Sequence, residues 1–519
     1  MAERAMSGRP VGILVPLFSI PSSDSWGIGE IGDLPKLGEW ARAAGIRLIQ
    51  LLPINEMADG QNSPYSALSA MAIDPIFISV RNIPGFLDAG DEMLSPADRR
   101  QLDLVRSAPA VDHRTVRELK TRVLRGLFDR FAAQRGVDGQ AAALQRYIDA
   151  QHWWLDDYTL FRALHAENDG RYWIEWDEAI RYRRPDAVNE ARTRLEREIL
   201  YYAWLQWIAS EQWAAARRGL GEVGILGDFP FMVSGDSADV WSRQGEFRVD
   251  ASVGVPPDAF SETGQDWGLP VYRWDVHDRN GYAWLRARAR RCADLYDGFR
   301  VDHLVGFYRT FMREKDGTTY FVPDQEDAQL AQGERLMRLF LESGGAIIAE
   351  DLGTVPDFVR ESLARLQVPG LKVLRWEREW TAAGQPFKDP AAYPQTSVAI
   401  SGTHDTETVA EWWDNADAAE RDQVIQLPAF RSRHVESQES FSDRIRDAVL
   451  ESLYTAGSNL VLIPVQDVFG WRDRINVPAQ VDDSNWCWRM PWASDQMAAE
   501  PAAIDRAGYL RDLAQRSGR

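Results

Sequence analysis

Cysteine, positive charge and long apolar runs are all scarce in this 519-residue chain. Its two cysteines, Cys292 and Cys487, stand far apart without a CxxC partner, which excludes a disulfide framework and a thiolate metal site and predicts buried core thiols. No apolar run approaches the roughly 18 residues that would span a bilayer. The first residues lack the apolar core of a signal peptide, so we expect a cytoplasmic protein with no membrane partner.

The shortage of positive charge limits the kinds of molecule that the protein can bind. The chain has 59 Lys and Arg against 78 Asp and Glu, a formal charge of −19 and a pI near 5.0. Such a field repels phosphate backbones, which predicts no nucleic-acid partner. The seven histidines show no HxH or HExxH spacing, which argues against a zinc site. The oligomeric state stays open.

Aromatic residues, in contrast, are abundant. The chain has 21 tryptophans, and aromatic residues make up 11% of the sequence. A flat apolar ring with a polar edge suits either a large core or a sugar-binding cleft. Composition does not choose between these two uses.

Eight short apolar runs predict buried parallel strands, because each is nearly continuous in apolarity and ends at Gly, Pro or an acidic residue. They cover residues 11–15, 48–52, 223–226, 298–301, 346–349, 371–374, 398–400 and 460–465. Amphipathic helical patterns lie between them, such as residues 33–44, 286–295 and 334–342. This alternation favours an α/β fold, a (β/α)₈ TIM barrel with inserted helical subdomains, and we predict residues 1–519 to form a single catalytic barrel.

Two intervals interrupt the alternation. Residues from approximately 84 to 221 have a mainly helical sequence pattern that is rich in charged residues, which predicts a helical insertion between strands 2 and 3. Residues of approximately 255–275 are rich in Gly and Pro and include two tryptophans, which is typical of an active-site loop.

Acidic residues follow four of the predicted strands. Asp228 ends the third run, Asp302 and His303 follow Arg300 in the fourth, Glu350 ends the fifth, and His404 and Asp405 come shortly after the seventh. Barrel enzymes carry their active sites at the carboxyl ends of the strands, so we expect these side chains to meet at one rim.

The residue types favour glycoside chemistry at this rim. Arg300 and Asp302 are two apart on a strand and point the same way, so the guanidinium favours the ionised form of Asp302, as a nucleophile requires. Glu350 lies among like charges, which raises its pKa and suits a general acid. One ionised and one protonated carboxyl group are what a retaining glycosidase uses, and Asp405 could hold sugar hydroxyls.

A divalent cation is the alternative for the same ring of acids, as in enolase-type barrels with Mg²⁺. Two features weaken it. Arg300 would place a fixed positive charge beside the proposed ligand Asp302, and no Lys ends a strand where it could act as a base. We therefore expect no metal.

Several motifs resemble a known family. Phe299-Arg-Val-Asp-His303, Ala349-Glu-Asp-Leu-Gly353 and Gly402-Thr-His-Asp405 are similar to conserved regions of the α-amylase clan. The wider resemblance is to the amylomaltases, the 4-α-glucanotransferases of glycoside hydrolase family 77. It runs nearly end to end through ordered motifs, among them Ser25-Trp-Gly-Ile-Gly29, Asn62-Ser-Pro-Tyr65, Gly227-Asp-Phe-Pro230, Gly254-Val-Pro-Pro-Asp258, Trp267-Gly268, Asn476-Val-Pro478 and Asn485-Trp486.

The resemblance implies roles for individual residues. Asp302 would be the nucleophile, Glu350 the acid/base and Asp405 the transition-state stabiliser, with no cofactor. The substrate-binding residues would be Tyr65, Asp228, Asp258, Trp267, Arg300, His303 and His404. Among these, Arg300 would orient Asp302, His404 and Asp228 would contact the sugar in the donor subsite, and Tyr65 would stack near it. The composition of the loop adds a separate expectation, that Trp267 stacks on a pyranose ring.

The sequence departs from the family pattern in three places. Leu304-Val-Gly306 replaces an aromatic-Arg-Gly run, Thr319-Tyr-Phe-Val-Pro-Asp324 replaces a Gly-rich segment, and Thr406-Glu407 stands where Asn is common. These changes leave the three carboxylates in place and alter their surroundings, so they bear on donor length and on the ratio of transfer to hydrolysis.

The leading hypothesis is an enzyme that moves an α-1,4-glucan segment from one maltooligosaccharide or α-glucan to another. An α-1,4-glucan hydrolase with the same carboxylates is the close alternative, since only the acceptor differs. The loop over residues 255–268 favours transfer, because a lid would exclude water. A catalytically silent glucan-binding scaffold is the third hypothesis, and the presence of all three carboxylates argues against it.

Overall fold

A computed structural model describes residues 8–58, 60–133, 139–257, 264–478, 480 and 482–519. These residues form twelve strands. In chain order they are β1 (Val11–Leu14), β2 (Leu48–Gln50), β3 (Gly224–Phe229), β4 (Phe247–Val255), β5 (Gln265–Tyr272), β6 (Gly298–Val301), β7 (Thr310–Glu314), β8 (Thr319–Val322), β9 (Ala346–Ala349), β10 (Gly370–Val373), β11 (Ser397–Ile400) and β12 (Leu460–Pro464).

Eight of the strands close into a parallel barrel in the order β1-β12-β11-β10-β9-β6-β3-β2. Each of the eight apolar runs contributes one of these strands, so the predicted (β/α)₈ fold is confirmed. The prediction succeeds because a strand buried on both faces is a nearly continuous apolar run. Such a run can be recognised in the sequence without knowing which strands pair with it.

Twenty α-helices accompany the strands in the described residues. They are α1 (Leu34–Ala43), α2 (Pro84–Ala89), α3 (Pro96–Ser107), α4 (His113–Ala133), α5 (Gln140–Glu167), α6 (Glu178–Arg181), α7 (Pro185–Arg194), α8 (Glu196–Leu220), α9 (Ala238–Ser242), α10 (Trp274–Arg279), α11 (Ala283–Leu295), α12 (Val305–Tyr308), α13 (Glu326–Leu341), α14 (Asp357–Leu366), α15 (Val409–Asn415), α16 (Ala418–Val424), α17 (Pro428–Ser432), α18 (Asp443–Tyr454), α19 (Val465–Phe469) and α20 (Pro501–Ser517).

The interval between β2 and β3 is helical. Its helices run from α2 to α8, and the two longest, α5 and α8, pack against each other. Both are apolar around much of their circumference, which is typical of helices buried between neighbours.

The interval of residues 255–275 differs from the expected loop. Gln265–Tyr272 is a strand that pairs antiparallel with β4, and these two join β7 and β8 in a four-stranded sheet of order β5-β4-β7-β8. The Gly and Pro content suggested a loop because Gly268 and Pro270 interrupt the apolar residues of this stretch, which forms a strand through its pairing with β4. Residues 258–263, which come between the two strands in sequence, lie outside the described residues.

The barrel interior is filled by its own apolar cluster of alternate strand residues: Leu48, Leu226, Ile348, Leu371, Val373, Val398, Ile400, Leu460 and Leu462. Gly12 makes room for this layer, since a Cβ there would lie 2.6 Å from Leu462 and 2.9 Å from Leu48. Both cysteines are buried, as predicted. None of the helices in the described part of the chain is long and apolar enough to cross a membrane.

Candidate active site

The inward-facing positions of three neighbouring barrel strands change from apolar to charged toward their carboxyl ends. Leu226 is followed two residues later by Asp228, and Ile348 by Glu350. On β6, which lies between these strands, Gly298 is followed by Arg300 and then by Asp302. Since side chains alternate along a strand, each charged residue points the same way as the apolar residue below it. The charged groups therefore form a layer directly above the interior core.

Arg300 joins this layer together. Its Nη1 donates to Asp228 Oδ2 at 2.6 Å, and its Nη2 donates to Asp302 Oδ1 at 2.7 Å. The same Nη2 lies 3.9 Å from Glu350 Oε2. Arg300 and Asp228 are buried, so this ion pair is little screened by solvent. One guanidinium therefore lies beside three carboxyl groups and holds two of them directly.

Asp302 is held so that it can react. Besides its bond to Arg300, its other oxygen lies 3.5 Å from the backbone N–H of Phe231. Both contacts come from donors, and together they fix the orientation of the carboxylate. The side chain keeps 22% of its surface exposed, so it remains accessible from the cleft.

Glu350 differs from Asp302 in its hydrogen-bond partners and has a raised pKa. Its Oε2 accepts a bond of 2.7 Å from the backbone N–H of His303, and its Oε1 accepts one of 3.3 Å from Leu352. Desolvation raises the pKa of Glu350 to about 8; Arg300 opposes the rise and Asp302 adds to it. Glu350 is consequently protonated near neutral pH, and burial contributes more to this than the neighbouring carboxylates do.

Asp405 is held from the opposite side of the site. Asn476 Nδ2 donates to its Oδ1 at 2.6 Å, His404 Nε2 lies 3.2 Å from its Oδ2, and Arg474 donates to its backbone carbonyl at 2.9 Å. Desolvation alone would raise the pKa of Asp405, but the His404 charge and the bonds from His404 and Asn476 outweigh it and lower the pKa to about 2. Asp405 is ionised at any pH at which the protein is handled.

Three aromatic rings form a wall beside Asp405. Tyr65 stacks on His404 at 5.4 Å and 17°, and Trp486 lies 5.6 Å from His404 and 5.8 Å from Tyr65. The Tyr65 hydroxyl donates to Asp228 Oδ2 at 2.7 Å, which fixes the ring. Trp486 has a φ of +64°, an uncommon conformation for a bulky residue, and such strain persists where surrounding contacts over-determine it.

The small sheet meets the site at His303. Its ring packs edge-on against Phe231 at 5.5 Å and against Trp267 of β5 at 4.8 Å. Desolvation lowers the pKa of His303 to about 4, so the ring is neutral at pH 7. Trp267 is half-buried and touches the residue that follows the nucleophile candidate.

The structure brings nine of the ten site residues predicted from the sequence to this rim: Tyr65, Asp228, Trp267, Arg300, Asp302, His303, Glu350, His404 and Asp405. The tenth, Asp258, lies outside the described residues.

Sequence reasoning assigned no role to three residues that the structure adds, namely Asn476, Arg474 and Trp486. Two of them stand in motifs noted in the sequence, Asn476-Val-Pro478 and Asn485-Trp486. The presence of these residues in recognised motifs was the signal that could have indicated a role for them. The sequence around Asn476 does not indicate its contact with Asp405, which lies 71 positions away.

The acidic rim is arranged around a cation that the protein itself supplies. The Arg300 guanidinium occupies the space between Asp228, Asp302 and Glu350 that a metal ion would need. In the described ranges no group of three or more His, Cys, Asp or Glu side chains is placed to hold a metal ion. The donor set thus suits sugar hydroxyls better than a divalent cation.

Known proteins resemble this chain over almost its whole length. Residues 15–495 match the family model described as 4-alpha-glucanotransferase, glycoside hydrolase family 77. The chain is 30% identical over 500 residues to a 4-alpha-glucanotransferase of Chlamydia pneumoniae, with 94% of this chain and 92% of the relative covered. It is 31% identical to one of Thermus thermophilus, with 93% and 95% covered.

A solved structure agrees with these relatives. The amylomaltase from Streptococcus agalactiae, determined in complex with acarbose, superimposes with a TM-score of 0.83 at 26% identity, covering 98% of this chain and 99% of that one. Since the family model spans seven of the eight barrel strands and the whole acidic rim, the chain belongs to the 4-alpha-glucanotransferase family, glycoside hydrolase family 77.

Proposed function

We propose that the protein is a 4-α-glucanotransferase that moves an α-1,4-glucan segment between maltooligosaccharides or α-glucans by a retaining double displacement. The observation that carries the proposal is the pairing of two unlike carboxyl groups around Arg300. Asp302 forms an ion pair with the guanidinium at 2.7 Å, whereas Glu350 has a pKa of about 8 and holds its proton. A retaining enzyme needs this combination.

In the first step, an Asp302 oxygen attacks the anomeric carbon of the donor while Glu350 gives its proton to the glycosidic oxygen. The C1–O bond breaks, the shortened glucan leaves with a new hydroxyl, and the glycosyl group becomes an ester of Asp302. Asp405 and His404 face the sugar as positive charge develops on its ring. Asp405, ionised and held by Asn476, stabilises that charge through the hydroxyls it contacts.

In the second step, the ionised Glu350 takes a proton from the 4-hydroxyl of an acceptor glucan. The freed oxygen attacks the anomeric carbon, the bond to Asp302 breaks, and Glu350 is protonated again. Both the donor bond broken and the acceptor bond formed are α-1,4 linkages. The reaction is therefore close to energetically neutral and needs no cofactor.

Hydrolysis would use the same two carboxyl groups with water as the acceptor. Family membership favours transfer, and so does the position of the small sheet, since β5 brings Trp267 against His303 beside Asp302. An aromatic face there offers an acceptor sugar a surface that water does not need.

Incubation with maltotriose tests the proposal. Transfer produces glucose together with a ladder of glucans longer than the substrate, and chromatography by chain length resolves it. The appearance of shorter sugars alone would contradict transfer and favour the hydrolase.

The substrates that this proposal names are neutral, which suits a chain of charge −19. The same charge is the basis of the prediction that nucleic acid is not a partner. The cytoplasmic location likewise stays a prediction.

A further inference from the structure

The turn that carries Asp405 is held at its base by one buried arginine. Arg375 lies two residues after β10, and its Nη2 donates to the backbone carbonyl of Ser401 at 3.1 Å and to that of Glu407 at 2.8 Å. Ser401 directly follows β11, and Glu407 comes two residues after Asp405. One guanidinium therefore ties together the two ends of this stretch, which we call the 401–407 turn.

The same turn is closed from within by Thr406. The backbone N–H of Thr403 donates to Thr406 Oγ1 at 2.9 Å, and that hydroxyl donates to the carbonyl of Thr403 at 3.1 Å. The backbone N–H of Asp405 donates to Thr403 Oγ1 at 3.2 Å. Gly402 makes room for the arrangement, since a Cβ there would overlap Thr406 Oγ1 and lie 3.2 Å from Arg375 Nη2. Thr406 and Arg375 thus support one short piece of backbone.

A charged arginine at this place is unfavourable for folding. Arg375 is buried, its Nη1 has no hydrogen-bond partner in the described part of the chain, and its Nη2 bonds carbonyls rather than carboxylates. Desolvation lowers the pKa of Arg375, and the charge of Asp467 opposes this effect. Burying a charge without a directly bonded carboxylate is destabilising. Stability alone therefore does not account for an arginine here.

The side chain and the backbone of Asp405 are held by different residues. Asn476 and His404 contact its carboxylate and orient it. Arg375 instead bonds the backbone on either side of it, and so fixes where the residue stands in the cleft. A change at either end of the 401–407 turn moves Asp405 relative to a sugar that the rest of the rim holds.

We propose that Arg375 is a positioning residue that, together with Thr406, fixes the 401–407 turn so that Asp405 stands where positive charge develops on the reacting sugar. This inference rests on the proposed function and deepens it, because it names what holds the transition-state stabiliser. A group that interacts more strongly with the transition state than with bound substrate raises kcat rather than lowering KM. Loss of the support should therefore appear mainly in kcat.

The proposal also gives a use to a departure from the family pattern. Thr406 stands where the family commonly has Asn. In this chain its hydroxyl both accepts and donates within the turn. The support is thus built from a threonine inside the turn and an arginine beneath it.

The alternative is that Arg375 serves packing alone, since its guanidinium lies 5.5 Å from the ring centroid of Trp412. A packing role predicts a lower melting temperature with an unchanged kcat. A positioning role predicts a lower kcat in a protein that is still folded. The two are separated by measuring both quantities on the same variants.

The test uses two matched pairs and a control. Arg375→Met removes the donors at similar length, and Arg375→Lys keeps a charged donor. Thr406→Val removes the hydroxyl at constant shape, and Thr406→Ser keeps it. The control is Arg433→Met, because Arg433 bonds Glu451 of α18 and Tyr509 of α20 and contacts none of the residues of the rim. For each variant, kcat and KM on maltotriose, the rate on α-glucosyl fluoride and the melting temperature are measured.

We expect Arg375→Met to lower kcat on maltotriose about ten- to a hundredfold while KM stays within about threefold. The rate on α-glucosyl fluoride should fall by a similar factor. The leaving group of this donor needs little help from Glu350, but positive charge still develops beside Asp405. Arg375→Lys should restore part of kcat.

The threonine pair should show the same effect at smaller size. Thr406→Val should lower kcat about three- to tenfold, since it removes one hydroxyl that makes two bonds in the turn. Thr406→Ser should stay close to the parent. Arg433→Met should lower only the melting temperature.

Three results would overturn the positioning role. One is an unchanged kcat in Arg375→Met with a melting temperature lowered as in Arg433→Met, which would show packing alone. Another is a raised KM at constant kcat, which would mark a contribution to substrate binding. The third is a loss on maltotriose with the full rate on α-glucosyl fluoride, which would connect Arg375 to Glu350 instead.

Two further outcomes have a defined meaning. If Arg375→Met does not fold, the Thr406 pair decides, and an unchanged kcat in Thr406→Val would then contradict the proposal. If the parent makes only shorter sugars from maltotriose, transfer is wrong as the proposed function. The rates of donor cleavage in the variants would still decide whether Arg375 positions Asp405.

Discussion

At the scale of single residues, the chemistry of the site depends on how one buried guanidinium is shared. Arg300 bonds Asp228 and Asp302 directly and stands 3.9 Å from Glu350. The direct partner Asp302 forms an ion pair with the guanidinium, and the more distant Glu350 keeps a pKa raised to about 8 by desolvation. Two carboxyl groups of one cleft are thereby prepared for opposite roles.

The pKa of Glu350 predicts a pH dependence. Because Glu350 must be protonated to act as the acid, kcat/KM on maltotriose should be maintained below about pH 8 and fall as the pH rises through about 8. Asp405, with its pKa of about 2, should cause no further change in kcat/KM over the pH range of the measurement. A profile from pH 5 to 10 measures this. A basic limb that begins well below 7 would contradict the assignment.

Substitution of Glu350 by Gln gives a second prediction. It removes the transferable proton at nearly constant shape, so activity on maltotriose should fall by about two to four orders of magnitude while the melting temperature holds. An α-glucosyl fluoride, whose leaving group needs little acid help, should still load Asp302 and release fluoride at a pH-independent rate. Near-normal turnover of maltotriose by the variant would show that another group is the acid.

At the scale of elements, two segments outside the barrel complete the site. The segment after α19 supplies Arg474, Asn476 and Trp486, and it is held together by Asn485, which accepts a bond from Val477 N–H at 2.9 Å. The small sheet supplies Trp267 from β5. The barrel strands thus position the reacting carboxyl groups, while these segments position what surrounds the sugar.

Trp267 carries the prediction that belongs to this scale. Trp267→Ala should weaken acceptor binding, and a stacking loss of roughly 1–2 kcal/mol corresponds to about a 5- to 30-fold decrease in transfer. Hydrolysis should fall less because water needs no stacking surface. The ratio of free glucose to elongated glucan from maltotriose should therefore rise, and Trp267→Phe should restore part of the parent ratio.

The opposite result has a clear structural meaning. Trp267 is half-buried and packs on His303. An unchanged product ratio accompanied by a lower melting temperature would show that its role is to anchor β5.

At the scale of the whole molecule, the barrel gathers acidic side chains at one rim, and the protein balances them with arginine. The ion pairs of Arg300 with Asp228 and Asp302, both of 2.7 Å or less, take the place that a divalent cation has in other acidic barrel rims. Removing metals should consequently leave the chemistry intact.

Millimolar EDTA checks this expectation. The rate on maltotriose should not change, because no step assigned to this rim needs a metal. A large loss that Mg²⁺ restores would revive the alternative of an enolase-type site, and parallel circular dichroism would distinguish a catalytic metal from a structural one.

The amino-acid sequence by itself determined the barrel and its carboxylates. Ala346–Ala349 is apolar on both faces and Gly298–Val301 is apolar apart from Arg300, and Asp302 and Glu350 stand directly after these strands, so local pattern and chain position were enough. Tertiary structure alone decided the rest. Asn476 bonds Asp405 across 71 positions, and β5 becomes a strand only by pairing with β4. Tertiary packing, which no local stretch of sequence contains, also buries Glu350 and so raises its pKa. The same packing leaves the side chain of Trp380 exposed.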